Sequence, residues 1–260
     1  MKNNGISINT YGNKNNPSII FVHGFVYDSA MWLKQITYLS NKYFCVAYDL
    51  RGLGNSDVGD GQYTMDSHVD DLISVITFLG LNKPILVGLS MGGYVSLRAI
   101  EREESLFSKL VLFDTRSDAD TDQIKIKRAA NVKQINTEGL DPFLNGFIPN
   151  CFSKKFREEH FEQFESFLLS AKRTSPIGVK GCLISMQGRS STTKYLPGIK
   201  IPVLIFCGEH DILSPVEEME GMAANIQTAE FLVVPDAGHI SPVENHTFIN
   251  KKLDKFLANN

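Results

Sequence analysis

Cysteine is scarce in this chain of 260 residues, and its spacing excludes the common metal sites. The four cysteines lie far apart, and none belongs to a closely spaced pair of the kind that binds zinc. Cys45 and Cys207 lie within apolar runs, where a thiol usually packs as a small hydrophobic group. We therefore expect buried, free thiols and no metal. The cysteines are Cys45, Cys151, Cys182 and Cys207.

Long apolar runs and an excess of one charge are also missing. No run reaches the roughly 18 apolar residues that a membrane span needs, and Met1–Gly5 begins no apolar signal segment. The net charge is only −3, from 26 basic and 29 acidic residues. Neither nucleic acid nor an anionic membrane is an expected partner. We expect a cytoplasmic protein that is a monomer or a homodimer.

Short apolar runs are plentiful, and segments with helical spacing separate them. With 43% hydrophobic residues, the chain can bury the core of one large domain, with or without an inserted piece. Alternation of strand and helix predicts an α/β fold with a mostly parallel sheet and helices on both faces. Ligands bind such sheets beyond the carboxyl ends of their strands. The predicted strands are Ile6–Thr10 at an edge, Pro17–Val22, Phe44–Tyr48, the run before Gly88, Leu110–Phe113, Pro202–Cys207 and Ala229–Val234.

Helix boundaries are visible at several points of the chain. Ser29 and Thr64 precede segments with helical spacing and are predicted to be N-caps. Gly80 is predicted to end the second of these helices. A last amphipathic helix is predicted over Thr247–Leu257.

The pattern changes between residues 117 and 195, where no strong strand is found. Three helix-like segments occupy this region: Ile124–Ile135, Leu140–Ile148 and Lys154–Lys172. The region from 117 to 195 holds seven of the chain's 17 phenylalanines, most of which an ordinary helical core would explain. We predict a core made of residues 1–116 and 196–260, with residues 117–195 inserted as a helical lid over an apolar substrate pocket.

The motif Gly88-Leu-Ser90-Met-Gly92 joins a strand to a helix, with a serine at the turn. Glycines two residues away on either side relieve crowding in so tight a turn, which presents the hydroxyl above the sheet edge. The first N–H groups of the following helix are unpaired. Ser90 is therefore the candidate nucleophile, and the N–H of Met91 is a candidate oxyanion donor.

A serine nucleophile needs a base, and a histidine base needs a carboxylate. His239 follows the last predicted strand and is our candidate base; His23 also ends a strand, but is better suited to orienting the loop after it. Asp211 is the favoured acid, because it gives the chain order Ser, Asp, His. Asp114, which also ends a strand near Ser90, is the alternative.

A second oxyanion donor is expected from the loop that follows His23. The N–H of Phe25 suits this role, and Gly24 keeps the turn open. For the substrate pocket we expect the side chains of Trp32, Phe143, Phe147 and Ile240. Arg116 and Arg189 would be anchors for an acidic substrate, although surface arginines are usually only solvated.

Taken together, these motifs resemble the α/β-hydrolase superfamily, in its order and over nearly the whole chain. Within it, they resemble the group of 3-oxoadipate enol-lactonases and small carboxylesterases with a serine nucleophile. The resemblance implies an eight-stranded, mostly parallel sheet, a helical cap, no cofactor, and hydrolysis of a small ester or lactone substrate. The motifs are His23-Gly-Phe25, Asp49-Leu-Arg-Gly-Leu-Gly-Asn-Ser56, Gly88-Leu-Ser-Met-Gly-Gly93, Leu112-Phe-Asp-Thr-Arg116, Gly208-Glu-His-Asp-Ile-Leu-Ser-Pro215 and Gly238-His-Ile-Ser-Pro-Val-Glu-Asn245.

Several other functions use the same residues. Relatives with an aspartate nucleophile are disfavoured, because position 90 is serine. Cofactor-free haloperoxidases or perhydrolases, and hydrolases that cleave carbon–carbon bonds, share the triad and remain alternatives. A receptor for a small ligand is the non-enzymatic alternative, and it would differ by slow or single turnover.

Overall fold

The computed structural model describes residues 1–258 and contains one sheet of eight strands. The sheet confirms the predicted α/β class, and its spatial order is β1-β2-β4-β3-β5-β6-β7-β8. The pairs β1–β2 and β2–β4 are antiparallel, and the other five pairs are parallel. The strands are β1 Lys2–Asn3, β2 Ile6–Tyr11, β3 Ser18–Val22, β4 Phe44–Tyr48, β5 Ile85–Leu89, β6 Leu110–Phe113, β7 Val203–Gly208 and β8 Ala229–Val234.

The central strands are apolar along their whole length because helices cover both faces of the sheet. Every residue of β5, β6 and β7 is buried. Within this core Trp32 packs against Phe21 and Phe113, and Phe113 stacks on Phe206 with ring centroids 4.7 Å apart. The parallel register places the carboxyl ends of these strands along one edge.

Six helices pack around the sheet, and the end signals found for the second of them are confirmed. Thr64 accepts a hydrogen bond from the N–H of Ser67, and Gly80 ends that helix in the left-handed region at φ 62°. The predicted cap at Ser29 is wrong: Asp28 accepts from Ala30, and one 3₁₀ turn precedes the helix. The helices are α1 Leu33–Leu39, α2 Met65–Leu79, α3 Met91–Glu103, α9 Val216–Ala224, α10 Ser241–Glu244 and α11 His246–Ala258.

Between β6 and β7 the chain forms five further α-helices, which we call the inserted helices. The predicted segment Lys154–Lys172 is two helices, because the backbone of His160 breaks the helix at φ −123° and ψ 42°. The last inserted helix was not predicted. The inserted helices are α4 Asp122–Glu138, α5 Leu140–Phe147, α6 Lys154–Glu159, α7 Phe161–Lys172 and α8 Pro176–Gln187.

The four cysteines are free and buried, as predicted. Among residues 1–258, no helix combines the length and the apolar character needed to cross a membrane.

Candidate active site

Ser90 lies between the end of β5 and the start of α3, in a strained backbone conformation. Its φ of 54° and ψ of −115° are unusual for a residue with a side chain. The neighbouring glycines make this turn possible: a Cβ on Gly92 would lie 2.2 Å from the carbonyl oxygen of Val22, and one on Gly88 would lie 2.4 Å from Oγ of Ser96. The strand-to-helix turn is therefore packed too closely for larger residues.

The structure brings Ser90, His239 and Asp211 together, although 149 positions separate the serine from the histidine. The Oγ of Ser90 lies 2.8 Å from Nε2 of His239. On the other side of the ring, Nδ1 lies 2.8 Å from Oδ2 of Asp211. His239 is 6% exposed and Asp211 is 5% exposed, so the contact between them is shielded from water.

Asp211 is held as a charged acceptor by more than the histidine. Its Oδ1 accepts the N–H groups of Leu213 and Ser214, and its Oδ2 accepts the hydroxyl of Ser214. Burial acts to raise the pKa of Asp211, but the neighbouring His239 and these hydrogen bonds outweigh it and leave the pKa below its ordinary value. The carboxylate can therefore stabilise a positive charge on the imidazole.

Asp114, the alternative acid, has different partners. It is fully buried; its Oδ1 accepts the N–H of Gly208 at 2.7 Å, and its Oδ2 is bonded to the hydroxyl of Ser241. Burial and the nearby charge of Asp211 raise its pKa well above the ordinary value. The structure thus places Asp211, and not Asp114, against His239.

His23 orients the loop beside the serine. Its Nδ1–H donates to the carbonyl of Gly24 at 2.8 Å, and its Nε2 accepts the N–H of Leu50 at 2.8 Å. These two bonds require the neutral ring, in agreement with a pKa that burial lowers. The loop runs close to the nucleophile, since a Cβ on Gly24 would lie 3.6 Å from Cβ of Ser90.

The two residues expected to supply oxyanion donors, Phe25 and Met91, both lie near Ser90. Phe25 follows Gly24 in this loop, and its side chain lines the same cavity as Ser90 and His239. Met91 is the first residue of α3, where a backbone N–H has no partner within the helix.

A cavity of about 630 Å³ opens above Ser90 and His239. Phe143 and Phe147 from α5 line it as predicted; their rings stack 5.6 Å apart and contact Phe25. Trp32 and Ile240 do not line it. Both side chains are fully buried, Trp32 in the aromatic core against Phe21 and Phe113, so the substrate-binding role expected for these two is wrong for this cavity.

Sequence reasoning missed the wall that α4 contributes to the cavity. Ile124, Lys127, Asn131 and Gln134 line it at helical spacing. Only Ile135 of α4 is buried, and the helix has no strong apolar stripe that would indicate its packing. The spacing of three and four residues between the lining side chains is therefore the one sequence signal for this wall. The wall also gives the cavity mouth a cation, Lys127.

The two arginines considered as carboxylate anchors are already paired. Arg116 lines the cavity, but its guanidinium donates to the carbonyl of Leu213 and lies 3.0 Å from Glu218. Arg189 is buried, bonded to Asp120 and stacked 4.1 Å above the ring of Tyr94. It lines a neighbouring, smaller cavity of about 330 Å³.

Within residues 1–258, two groups of side chains have donor atoms close enough together for a metal ion. Asp114, Cys207 and Asp211 lie within 4.8 Å of one another, but the protein satisfies both carboxyl groups, and burial raises the pKa of the thiol. The second group is exposed and consists of Glu209, His210 and Asp236. The buried group therefore lacks the open coordination position that metal catalysis needs.

Comparison with known proteins agrees with this geometry. Residues 17–246 match the alpha/beta hydrolase fold family. The 3-oxoadipate enol-lactonase 2 of Acinetobacter baylyi is 27% identical over 248 residues, which cover 95% of this chain and 91% of that protein. A bifunctional esterase/perhydrolase of Acinetobacter calcoaceticus is 27% identical over 265 residues, covering 95% and 94%. A thermophilic esterase structure from Thermogutta terrifontis superimposes with a TM-score of 0.93 at 32% identity, covering 97% of this chain and 92% of that one.

The chain therefore belongs to the alpha/beta hydrolase fold family. It is a hydrolase of this fold, and the similarity to enol-lactonases and esterases extends over nearly the whole chain.

Proposed function

We propose that this enzyme hydrolyses a small carboxylic ester or lactone through an acyl-enzyme on Ser90. The observation that carries the proposal is the hydrogen-bonded series Ser90–His239–Asp211, with 2.8 Å at each contact, at the base of an aromatic-lined cavity. Each member has the partner that nucleophilic catalysis by serine requires.

The hydrogen bonds support one assignment of protons. Asp211 accepts bonds from its neighbours and is charged, so Nδ1 of His239 donates to it. The lone pair of Nε2 then faces the hydroxyl of Ser90. His239 can accept the serine proton without changing its position, and Asp211 stabilises the imidazolium that results.

In the first half of the reaction, Oγ of Ser90 attacks the acyl carbon while Nε2 of His239 takes its proton. The N–H groups of Phe25 and Met91 donate to the oxyanion of the tetrahedral intermediate. His239 then protonates the leaving oxygen, and the ester or lactone C–O bond breaks. In a lactone the leaving alcohol stays attached to the acyl group.

In the second half, water attacks the acyl carbon of the Ser90 ester. His239 takes a proton from this water and returns it to Oγ as the acid leaves. The cavity supports a small substrate with apolar character next to the rings of Phe25, Phe143 and Phe147. The names of the relatives, an enol-lactonase and two esterases, support the same bond type.

A turnover panel tests the proposal. It comprises p-nitrophenyl esters of increasing acyl length, enol-lactones, a carbon–carbon cleavage substrate, and peracid formation from acetate and hydrogen peroxide. We expect turnover of at least one ester or lactone, and a loss on the order of 10⁴-fold in Ser90→Ala. Retention of full activity by Ser90→Ala would refute the proposal. Turnover of only the carbon–carbon cleavage substrate, or only peracid formation, would assign that activity to the enzyme in place of ester or lactone hydrolysis.

A further inference from the structure

Three hydrogen bonds connect the loop that carries His239 to the segment 151–153, which lies between the inserted helices α5 and α6; one bond is direct and two pass through Glu244. The N–H of Ile240 donates to the carbonyl of Cys151 at 3.1 Å. The other two bonds meet on one side chain: Oε1 of Glu244 accepts the N–H of Gly238 at 3.0 Å, and Oε2 accepts the N–H of Ser153 at 2.9 Å. Glu244 thus bridges the residue before His239 and the segment 151–153 that precedes α6.

This bridge depends on the carboxylate form of Glu244. Each oxygen faces a backbone donor, so both must be acceptors, and only an ionised carboxyl offers two acceptors and no donor. Burial raises the pKa of Glu244 above its ordinary value, and its hydrogen bonds to Ser153, Gly238 and Ile240 oppose the rise without cancelling it. The charge of Glu244 acts on Tyr27, Cys151 and Asp114, and none of these three groups is a cation.

The two segments also touch directly. A Cβ on Gly238 would lie 2.6 Å from the backbone nitrogen of Ser153 and 2.9 Å from the carbonyl carbon of Phe152. The backbone of the loop is therefore in direct contact with the backbone of the segment 151–153. With so little space between them, neither segment can move toward the other without displacing it.

We propose that Glu244 is a positioning residue that fixes His239 by clamping its loop to the segment 151–153. This inference rests on the proposed function, since it assigns Glu244 an effect on the base of that mechanism. It also means that the segment 151–153 stays in place during turnover.

The variant that tests the clamp is Glu244→Gln. Glutamine keeps the shape but replaces one acceptor by an NH₂ group, which would face a backbone N–H and break one bond. Glu209→Gln is the matched control. Glu209 also accepts one backbone N–H from this loop, that of Asp236 at 3.0 Å, but its side chain is 49% exposed.

Kinetics per active site separate positioning from folding. Active sites are counted by complete reaction of Ser90 with a small p-nitrophenyl phosphonate. For a p-nitrophenyl acetate, we expect Glu244→Gln to lower kcat per titrated site by about 10- to 100-fold, with KM little changed, because a small misplacement of the base slows the chemical step. Glu209→Gln should match the wild type. Wild-type kcat per titrated site in Glu244→Gln would overturn the proposal, even if the protein were less stable.

Amide hydrogen exchange of the wild type provides a measurement that needs no variant. We expect the amides of Gly238, Ile240 and Ser153 to be protected to the same degree, because they would open in one step. Rapid exchange at Ser153 with slow exchange at Gly238 would overturn the clamp. Hydrogen exchange does not depend on turnover. A failure of the clamp is therefore distinguishable from a failure of the proposed ester or lactone hydrolysis, which the Ser90→Ala variant tests.

Discussion

The carboxyl groups of Asp114 and Asp211 lie within 4.8 Å of each other, but only that of Asp211 accepts a hydrogen bond from His239. Their environments shift the two pKa values in opposite directions. Burial raises that of Asp114, whereas His239 and two backbone N–H groups hold that of Asp211 low. Two carboxyl groups at one sheet edge thus have different hydrogen-bond partners and opposite pKa shifts, and these differences separate their expected roles.

The first prediction compares the amide variants of these two residues. Asp211→Asn should lower kcat/KM on the order of 10⁴-fold, because the amide no longer favours the Nδ1–H tautomer or the imidazolium. Asp114→Asn should lower it by no more than about tenfold, since asparagine can still accept from Gly208 and donate to Ser241. Steady-state kinetics on one ester decide between them, and the reverse ranking would reassign the acid.

The second prediction concerns the stability of Asp114→Asn as a function of pH. A raised folded-state pKa means that the folded protein retains this proton where the unfolded chain has lost it. The stability contributed by the group is complete below about pH 4 and declines as pH rises toward the folded pKa. The melting temperature of Asp114→Asn relative to wild type should therefore rise with pH over this interval. A difference that stays constant or falls would contradict it.

The third prediction concerns the glycines of the serine turn. Gly92→Ala should lower the free energy of unfolding by roughly 2 kcal/mol or more and abolish turnover, because its Cβ would meet the backbone of Val22. The matched control is Gly221→Ala in α9, where nothing lies within 4 Å of the added carbon. That change should stabilise the protein by about 0.5 to 1 kcal/mol. Urea unfolding measures both, and equal effects would exclude the steric explanation.

The fourth prediction distinguishes cavity residues from core residues. Phe147→Ala should raise KM for an apolar ester on the order of tenfold, because part of a buried ring contact is lost. Phe78→Ala, on the half-exposed face of α2, should leave KM unchanged. Trp32→Phe should also leave KM unchanged but lower the melting temperature, since Trp32 packs against Phe21 and Phe113. A raised KM in Trp32→Phe would return that residue to the substrate site.

Sequence reasoning was most successful where a local pattern has one structural outcome. Apolar runs such as Leu110–Phe113 are fully buried strands, because only the centre of a covered sheet accommodates them. Gly88 and Gly92 predicted the turn at Ser90, since both positions exclude a Cβ. The chain order of Ser90, Asp211 and His239 predicted their meeting at one sheet edge.

The remaining features depend on contacts between distant segments. The break at His160 and the two-residue strand β1 have no local signal strong enough to predict them. The residues around Trp32 in the sequence give no sign that its ring packs against Phe113, which lies on a distant strand. The contact of Glu244 with Ser153 joins residues 91 positions apart, and neither residue is unusual in its own neighbourhood.

The buried thiols have a practical consequence for the chemistry of this enzyme. All four are free, and burial raises the pKa of each, that of Cys45 to about 12. Thiols that remain protonated and inaccessible react slowly with disulfide reagents. The folded protein should therefore give little background with such a reagent. Release of a thiol from a thioester substrate could then be followed continuously, with the oxygen ester of the same acyl group as comparison.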